Sequence, residues 1–567
     1  MSGFVAYGGP RPNPRRLHHK PVASILRPFR RRIFTALWIA ALVSNIGTWM
    51  QNVGAAWLMT SLSPSPLMVA LIQTASSLPI LILALPAGAL ADIVDRRRLL
   101  ILSQAWMLLA AGALGWLTIA HLATPWTLLV LSFALGVGSA LNAPAWQAIV
   151  PELASRSDLT AAISLNGINF NAARAIGPAI GGVVVAWAGA GPTFLLNAAS
   201  FVAVIAVLYE WDHAPRPGVL PAERVMGAVR AGVRYVRNSP ALRAVLVQTA
   251  AFILGASALW AVLPVLARWQ MHLDAAGYGV LLGFFGGGAV IGGACLPRLT
   301  QILSRNLIST LSTVAFAVAM GGLAMTHNSL VAFALIAMAG AAWVIEMSSL
   351  NVAAQLSVSG WVQGRALACY QMVVQGGMAA GAIMWGVVAE RYSVLYALAG
   401  GAAAMIIGIV AMLRFPLISE QELDLHPNPH WPMPAWADAV PQDSGPVLVT
   451  VEYRIDPARG REFERAARVL RPIRMRDGAT FWGLFFDASD PGRFVEYFTV
   501  ESWIEHLRQH QRAVASDDEI EERVKSFHLG KKPPLVTHQI SALSLDGRGS
   551  EAIARILEAS RTEPASS

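Results

Sequence analysis

The chain has 567 residues, of which 55% are hydrophobic and 14% charged, and its 43 Lys and Arg against 34 Asp and Glu give a net charge of +9. Soluble globular proteins carry about 25% charged residues, so this composition excludes a wholly soluble enzyme and a disordered chain, and two cysteines exclude a disulfide scaffold. Ten of the acidic residues precede Phe415 and the other 24 follow it. We therefore expect an apolar body joined to a smaller polar body near residue 415.

Residues 34–414 divide into apolar stretches that are long enough to cross a bilayer, which takes about 20 residues of helix. Glycine and proline inside these stretches are compatible with membrane helices, because neighbouring helices can satisfy the freed backbone groups. The sequence therefore predicts an all-α membrane body with twelve transmembrane helices. Their predicted bounds are 34–60, 66–91, 98–121, 125–150, 159–187, 190–209, 241–267, 275–297, 306–326, 329–356, 365–389 and 392–413.

Basic residues are concentrated on one side of these spans. That side carries most of the loop arginines, among them Arg97 and Arg234, whereas the other side has little beyond Arg268 and Arg391. Loops rich in Lys and Arg face the cytoplasm. We therefore expect a multi-pass protein of the bacterial inner (plasma) membrane with both termini cytoplasmic and residues 1–33 as a basic tail. Because membrane orientation explains the net charge, the lipid bilayer is the expected partner and nucleic acid is not.

The first six spans, residues 34–209, match the last six, residues 241–414, at a constant offset of 204 residues. Parallel six-helix repeats are a transporter architecture with the substrate site between the two halves. The sequence thus predicts two repeated bundles around a central site. The matched pairs are Gly136 with Gly340, Asn142 with Glu346, Gln147 with Asn351, Gly177 with Gly381 and Gly182 with Gly386.

Residues 210–240 connect the two bundles. Valines between Val225 and Val236 recur at helical spacing and are opposed by arginines. This pattern favours an amphipathic basic helix on the anionic inner face of the membrane, and a solvated linker helix is the alternative.

The loop after the second span reads Gly88-Ala89-Leu90-Ala91-Asp92-Ile93-Val94-Asp95-Arg96-Arg97-Arg98-Leu99-Leu100. It resembles the signature of the major facilitator superfamily between the second and third helices. Ile93 and Asp95 depart from that signature, since they stand where a basic residue and a glycine are usual. The resemblance implies close helix packing at Gly88 and a charged gate formed by Asp92, Arg96 and Arg97. The alternative is that these arginines only set the topology.

The fifth span contains Gly177-Pro178-Ala179-Ile180-Gly181-Gly182, which is similar to the fifth-helix motif of exporters in the same superfamily. In that family the motif accompanies proton-driven export. Gly177, Gly181 and Gly182 form a smooth face that allows close helix packing, and Pro178 is expected to kink the helix.

Longer runs resemble one branch of the superfamily, which contains enterobactin exporters, macrolide efflux proteins and transmembrane secretion effectors. Asn142 to Gln147, Asn169 to Gly182 and Gln363-Gly364-Arg365 carry this resemblance, which covers about residues 25–415. Some members of that branch have a soluble C-terminal extension like this one.

Polar and charged residues inside membrane spans are costly and are therefore functional candidates. Glu346 in the tenth span and Arg174 in the fifth are the candidates for proton coupling. The alternative for Glu346 is structural pairing through a fixed contact with Arg174 or Asn142. Intramembrane tryptophans are expected to pack or to anchor at the interface, and stacking on an aromatic or amphipathic substrate is the alternative. The predicted substrate-pathway residues are Asn45, Gln51, Asn142, Gln147, Asn171 and Asn351.

After a Pro-rich linker, residues 415–445, the sequence predicts a small cytoplasmic α+β domain at 446–545 and a loose tail at 546–567. Strands and helices alternate in the β-α-β-β-α-β order of ferredoxin-like domains. The domain resembles those of antibiotic-biosynthesis monooxygenases, which pair sheet to sheet, so dimerisation is one expected role. Strands are predicted at 447–453, 481–486, 494–498 and 535–540, and helices at 460–470 and 503–514.

His506 and His510 stand four residues apart on one predicted helix of this domain, a spacing that suits a metal. The sequence shows no third ligand nearby, so we expect an ordinary solvated face and no metal. The acidic segment 517–522 is likewise expected to be solvated.

These observations predict a secondary active transporter that exports an amphipathic small molecule, such as a siderophore, a macrolide or another drug, in exchange for protons by alternating access. Catalytic residues and cofactors are not expected. One alternative is a membrane-anchored oxygenase whose C-terminal domain is catalytic. Another is a C-terminal domain that only dimerises or regulates the transporter.

Overall fold

The computed structural model describes residues 26–541 except 154, 156–157, 212–224, 327, 360–362, 418–439 and 513. Most of the predicted N-terminal tail, the first half of the connector, most of the Pro-rich linker and the loose tail at 546–567 lie outside the described residues.

Twelve of the described helices are long and apolar enough to cross a membrane, as predicted. The largest difference from the predicted bounds is in the eighth span, which continues through Pro297 to Ile302 where we expected it to end at Pro297. The spans are α1 (Arg32–Leu62), α2 (Pro66–Ile93), α3 (Arg96–Ile119), α4 (Pro125–Leu153), α5 (Leu159–Ala188), α6 (Ala190–Glu210), α8 (Pro240–Val265), α9 (Ala275–Ile302), α10 (Arg305–Met325), α11 (Ser329–Leu356), α12 (Gln363–Arg391) and α13 (Val394–Arg414), and α7 (Val225–Asn238) is the connector helix.

The helices pack as two six-helix bundles with the same internal contacts. In the first bundle α1 packs on α5 and α6, and α2 on α4; in the second, α8 packs on α12 and α13, and α9 on α11. The bundles join where α2 meets α12 and where α5 meets α9. Because α2 and α9 are equivalent, as are α5 and α12, these are one contact repeated by a pseudo-two-fold axis, as expected for parallel repeats.

Matched glycines occupy equivalent helix contacts in the two bundles. A Cβ on Gly136 would lie 2.9 Å from the Ser76 carbonyl of α2, and one on Gly340 would overlap the Phe285 carbonyl of α9. These contacts are possible because glycine lets two backbones approach closely. The constant offset between matched glycines in the sequence therefore reflects equivalent helix contacts in the structure.

We expect Gly288→Ala in α9 to destabilise the protein by roughly 1–3 kcal/mol, the usual cost of overpacking. A Cβ at Gly288 would overlap the Ala337 carbonyl of α11, whereas one at the adjacent Gly287 would meet nothing within 4 Å. Thermal unfolding in detergent measures the difference. Gly287→Ala is the matched control and should melt like the wild type, and equal melting of the two variants would contradict the observed packing.

The described half of α7 packs against protein. Tyr235 is buried with Leu242 of α8 and with Val358 and Ala366, and its hydroxyl accepts the Ser359 N–H at 3.2 Å. The side chains of 225–231 lie outside the described residues, so contact of that part with lipid stays a prediction. We call the side of the bundles that carries α7 the connector end and the opposite side the far end.

The C-terminal domain is a four-stranded antiparallel sheet of order β2-β3-β1-β4. Its strand order and the helices after β1 and β3 agree with the predicted β-α-β-β-α-β topology. Each predicted helix is followed by another: α14 (Gly460–Ala467) by α15 (Leu470–Asp477), and α16 (Trp503–Arg512) by α17 (Ala515–Lys525). The strands are β1 (Val447–Arg454), β2 (Phe481–Phe486), β3 (Arg493–Val500) and β4 (Leu535–Ile540).

The prediction that the acidic segment 517–522 is solvated is wrong for two of its residues. Asp517 and Glu521 are 3% and 4% exposed. Glu521 pairs with Arg474, which also donates to Glu496 of β3 at 3.0 Å, and Asp517 pairs with Arg476. Sequence spacing does not show this arrangement, because the arginines lie on α15, 41 and 47 residues away in the chain.

Candidate functional site

A cavity of about 400 Å³ lies between the two bundles. Helices from both bundles line it, chiefly α1, α2, α4 and α5 of the first and α8, α9, α11 and α12 of the second. Its volume falls within the range of small-molecule sites. The position agrees with the predicted central site between two repeats.

Two of the predicted pathway residues, Asn45 and Gln51, line this cavity. The Asn45 side-chain amide donates to Asn169 Oδ1 of α5 at 2.9 Å. The Gln51 side-chain oxygen accepts from Asn197 Nδ2 of α6 at 2.6 Å. These bonds hold the polar wall of the first bundle in place.

Arg174 of α5 also lines the cavity, and it is the single charged residue among the described residues that do so. Its guanidinium carbon lies 5.5 Å from the ring centre of Trp49 and 5.0 Å from that of Phe170. Its buried Nε has no hydrogen-bond partner among the described residues. The cation is therefore held by aromatic rings and keeps unused donor capacity.

The opposite wall, from the second bundle, is aromatic. Trp260 of α8 contacts Phe285 and Trp343, with ring centres 4.9 and 5.7 Å apart, and all three line the cavity. We expected intramembrane tryptophans to pack or to anchor at the interface, with substrate stacking as the alternative, and no pattern in the sequence indicates that Trp260 and Trp343 face one site. The cavity thus has a polar wall with one cation and an aromatic wall.

Glu346 of α11 is fully buried and is absent from the cavity lining. Ser309 Oγ of α10 lies 2.6 Å from its Oε1 and 3.2 Å from Gln248 Oε1 of α8. Gln248 Nε2 in turn donates to the Phe415 carbonyl at 2.9 Å. Glu346 Oε2 has no hydrogen-bond partner among the described residues. Glu346 therefore belongs to a polar cluster inside the second bundle.

The structure shows neither of the contacts that we considered as structural pairing for Glu346. Arg174 contacts aromatic rings instead, and Asn142 Oδ1 accepts from Gln104 Nε2 of α3 at 3.1 Å. Asn142 and Glu346, matched in the repeat, thus each bind the preceding span of their own bundle. Sequence alone does not show this because the polar residues that α3 and α10 contribute belong to no motif.

Asn142 and the remaining predicted pathway residues do not line the cavity. Gln147 and Asn171 are exposed, and Asn171 donates to the carbonyl of Gly167 in its own helix at 2.9 Å. Asn351 Oδ1 accepts from Gln355 at 2.6 Å. Asn142, Gln147 and Asn351 lie beyond the lining residues of α4 and α11, toward the connector end. Asn171 lies between the lining residues Phe170 and Arg174 but on another face of α5.

The predicted gate arginines hold the connector end of the first bundle together. Arg96 Nη1 pairs with Glu152 of α4 at 2.5 Å. Arg97 donates to the carbonyls of Leu208 and Tyr209 at the end of α6, both at 2.7 Å. The side chain of Asp92 lies outside the described residues. A gating role for this motif stays a prediction.

Close helix packing was expected at Gly88, and the structure does not show it. A Cβ built there would meet nothing within 4 Å. In this conformation the glycine therefore has no steric role in helix packing.

The fifth-helix motif does make the close contacts predicted for it. A Cβ on Gly177 would lie 2.6 Å from Trp49 Cβ and one on Gly181 would lie 2.8 Å from Met50 Cα, so both glycines pack on α1. Gly182 packs on Gly279 of α9, which belongs to the other bundle. Pro178 lines the cavity. The motif thus lies at the contact between the two bundles.

Further contacts join the bundles near the far end. Glu390 of α12 accepts from the Ser65 hydroxyl at 2.7 Å. Arg268, just after α8, donates to the Thr60 hydroxyl of α1 at 2.9 Å. Together with the packing of Gly182 on Gly279, these contacts hold the two bundles together on the far side of the cavity.

A family model of transmembrane secretion effectors matches residues 23–545, which include both the twelve spans and the C-terminal domain. The chain belongs to this family. The match agrees with the branch that the sequence motifs indicated.

Curated relatives of this family member include a Staphyloferrin A transporter from Staphylococcus aureus, 25% identical over 62% of this chain and 88% of the relative. Enterobactin exporter EntS from Escherichia coli is 25% identical over 67% of this chain and 91% of the exporter. Multidrug efflux pump Tap from Mycolicibacterium fortuitum is 30% identical over 36% of this chain and 52% of the pump.

Among solved structures, the nucleoside transporter NupG is 12% identical with a TM-score of 0.53, covering 68% of this chain and 98% of that one. A bacterial homologue of the iron transporter ferroportin is 16% identical with a TM-score of 0.53, covering 68% and 98%. These similarities establish the transporter fold. Since the family and its relatives are transporters, the chain is not assigned as an enzyme, and the oxygenase alternative has no support.

The C-terminal domain of this family member contains a histidine cluster that sequence reasoning missed. His506 and His510 are 0% and 4% exposed, so the prediction of a solvated face is wrong. Their Nε2 atoms lie 3.2 Å apart, and His538 of β4 lies beside them with its ring centre 4.7 Å from that of His506. Burial, with the neighbouring His510 and His538, lowers the pKa of His506 to about 3. This imidazole is therefore neutral at physiological pH.

Proposed function

We propose that this protein exports an amphipathic small molecule with an aromatic or apolar body and an anionic group, of the siderophore or drug class, from a bacterial cell. The names of its relatives, an enterobactin exporter and a multidrug efflux pump among them, support export. The basic loops support an inner-membrane position with the connector end in the cytoplasm.

The observation that carries the substrate class is the single cation among the described residues that line the cavity. Arg174 faces an aromatic wall formed by Trp260, Phe285 and Trp343. A cation in a site of low polarity favours an anionic partner, and Arg can bind a carboxylate or a phenolate with two hydrogen bonds. The aromatic wall suits the apolar body of the same molecule.

Alternating access is proposed from the arrangement of the two ends. The contacts of Glu390 with Ser65 and of Arg268 with Thr60 hold the two bundles together at the far end. The exposed polar side chain of Gln147 lies beyond the lining residue Ser139 of α4, toward the connector end. Because polar side chains rarely face lipid, we infer an aqueous opening there. Rocking of the two bundles would close this opening and release the far end.

Proton coupling is proposed for Glu346. A protonated Glu346 can donate to Ser309, which then donates to Gln248, which donates to the Phe415 carbonyl. An ionised Glu346 instead takes the single Ser309 proton and leaves Gln248 Oε1 without it. Loading and release of one proton would therefore rearrange bonds that tie α8, α10 and α11 to the end of α13.

The substrate class is tested by comparing efflux of a panel of compounds from a deletion strain and from the same strain complemented with the gene. We expect the deletion strain to accumulate aromatic compounds with a carboxylate or catecholate group. Matched neutral or cationic analogues should accumulate equally in both strains. Accumulation restricted to cationic compounds would contradict the proposed class.

The C-terminal domain is proposed to dimerise through the sheet face that its helices leave uncovered. Phe481 and Phe485 on this face are 52% and 58% exposed and stack on Tyr497. We expect the double substitution of both phenylalanines by Ser to convert a dimer into a monomer on size-exclusion chromatography with light scattering, with efflux retained.

Phe486→Ser is the matched control for this prediction. Phe486 is 65% exposed but alternates onto the face covered by helices. The control should leave the dimer intact. A monomeric wild type, or a double variant that remains dimeric, would contradict the proposed interface.

A further inference from the structure

The cluster of His506, His510 and His538 joins two separate elements of the C-terminal domain. His506 and His510 stand one turn apart on α16, so they present their rings on one face of the helix. His538 comes from β4, where it pairs with Val449 of β1. One ring nitrogen from each histidine lies within 4.8 Å of those from the other two.

This spacing suits a metal ion. In a tetrahedral site with Zn–N bonds of about 2.0–2.1 Å, two ligand nitrogens lie about 3.3 Å apart. The Nε2 atoms of His506 and His510 are separated by 3.2 Å. A small closure of β4 toward α16 would bring the third nitrogen to the same distance.

The surroundings of the cluster keep the rings in place. Trp503, itself 3% exposed, lies against His506 and His538 with ring centres 5.4 and 6.2 Å away. His506 Nδ1 is buried without a hydrogen-bond partner among the described residues. The Gln509 side chain, 2% exposed, also lies beside His506. Convergent buried imidazoles with an unpaired ring nitrogen favour a bound ligand, because buried polar groups are normally satisfied.

We propose that His506, His510 and His538 bind a divalent first-row transition-metal ion of the Zn²⁺ class, with a coordination position left open. Three imidazole nitrogens suit Zn²⁺, Cu²⁺, Ni²⁺ and Co²⁺, whereas Mg²⁺ and Ca²⁺ prefer oxygen ligands. With three protein ligands the fourth position of a tetrahedral site stays available for water or another ligand.

The position of the site connects it to the membrane body. Glu505, next to His506 on α16, contacts Arg234 of the connector helix α7 at 3.5 Å and also pairs with Arg512. Metal binding therefore rigidifies the helix that touches the connector between the two bundles.

The test uses full-length protein in detergent, purified with an affinity tag that contains no histidine and stripped with EDTA. Zn²⁺ is titrated by calorimetry, and Co²⁺ is followed by its visible d–d absorption. We expect one Zn²⁺ per chain, a tetrahedral Co²⁺ spectrum and a higher melting temperature with Zn²⁺. His538→Ala should weaken Zn²⁺ binding by more than about 10-fold, since even an outer-shell partner can be worth that much.

Two further variants keep the result interpretable. His121→Asn removes a histidine that lies outside the cluster at φ +57°, a conformation that Asn tolerates, and should bind Zn²⁺ like the wild type. His506→Gln keeps a polar side chain of similar size in case His538→Ala fails to fold. Failure of the wild type to take up Zn²⁺, or wild-type affinity in folded His538→Ala or His506→Gln, would overturn the proposal.

Discussion

Arg174→Gln is expected to lower efflux of an anionic substrate by about 10- to 100-fold while leaving the protein folded. Hydrogen bonds to charged groups contribute roughly 1.5–3 kcal/mol, and about 1.4 kcal/mol is tenfold in affinity. Arg174 is the single charged residue among the described lining residues, so its loss has no substitute in the cavity. Gln keeps hydrogen-bonding capacity but removes the charge. Substrate binding to purified protein and efflux from vesicles measure the effect.

Two controls separate substrate binding from folding in this experiment. Arg174→Lys retains the charge but not the planar fork, so an intermediate loss is expected. Arg298→Gln removes an exposed arginine of α9 and should transport like the wild type. Unchanged binding of anionic compounds by a folded Arg174→Gln variant would show that the cation does not recognise substrate.

Glu346→Gln is expected to abolish efflux driven by a pH gradient while leaving the protein folded. Gln is isosteric with a protonated carboxyl group and can still donate to Ser309, so the bonds around Gln248 persist. It cannot release a proton, however, and the proposed rearrangement of the cluster cannot occur. Substrate exchange across vesicles without a gradient should survive, because exchange requires no net proton movement.

The matched control is Glu210→Gln, which changes an exposed carboxyl group at the end of α6. It should retain pH-driven efflux. Normal pH-driven efflux by Glu346→Gln would remove the proton role from this residue, whereas loss of both exchange and efflux would point to a structural role.

The membrane body could be predicted from the sequence because lipid imposes a simple rule on it. Every span must be a helix of about 20 apolar residues, so long apolar stretches identify the spans directly. The glycine register carried further information, since Gly136 and Gly340 mark equivalent helix contacts. The predicted end of the eighth span at Pro297 followed the apolar stretch, whereas the helix continues past that stretch to Ile302.

The interior of the site could be predicted only in part. The cost of polar groups in lipid singles out Arg174, Asn45 and Glu346, but not whether each faces the cavity or its own bundle. That choice depends on helix rotation and on single partners such as Ser309, which carry no motif. The aromatic wall could not be singled out for the same reason, since an apolar stretch does not reveal which face a tryptophan occupies.

The soluble domain showed the opposite pattern. Alternating strands indicated its topology, but burial of His506 depends on β4 and that of Asp517 on α15, both distant in sequence. A run of charged residues or histidines is predicted to be solvated, because the sequence does not show which distant elements bury it. Spacing arguments therefore underestimate clusters assembled from several elements.

The most direct test of the proposed transport mechanism is the access of the central cavity to water on each side of the membrane. A single cysteine replaces Ser139, a small cavity-lining residue of α4, after Cys295 and Cys369 are changed to Ser. Ser312→Cys, in a buried position of α10 outside the cavity, is the control and should stay unlabelled.

A membrane-impermeant thiol reagent is then applied to right-side-out and to inside-out vesicles. Alternating access predicts that Ser139→Cys is labelled from both sides, and that substrate slows labelling from each. Labelling from one side alone under every condition of substrate and pH would contradict it.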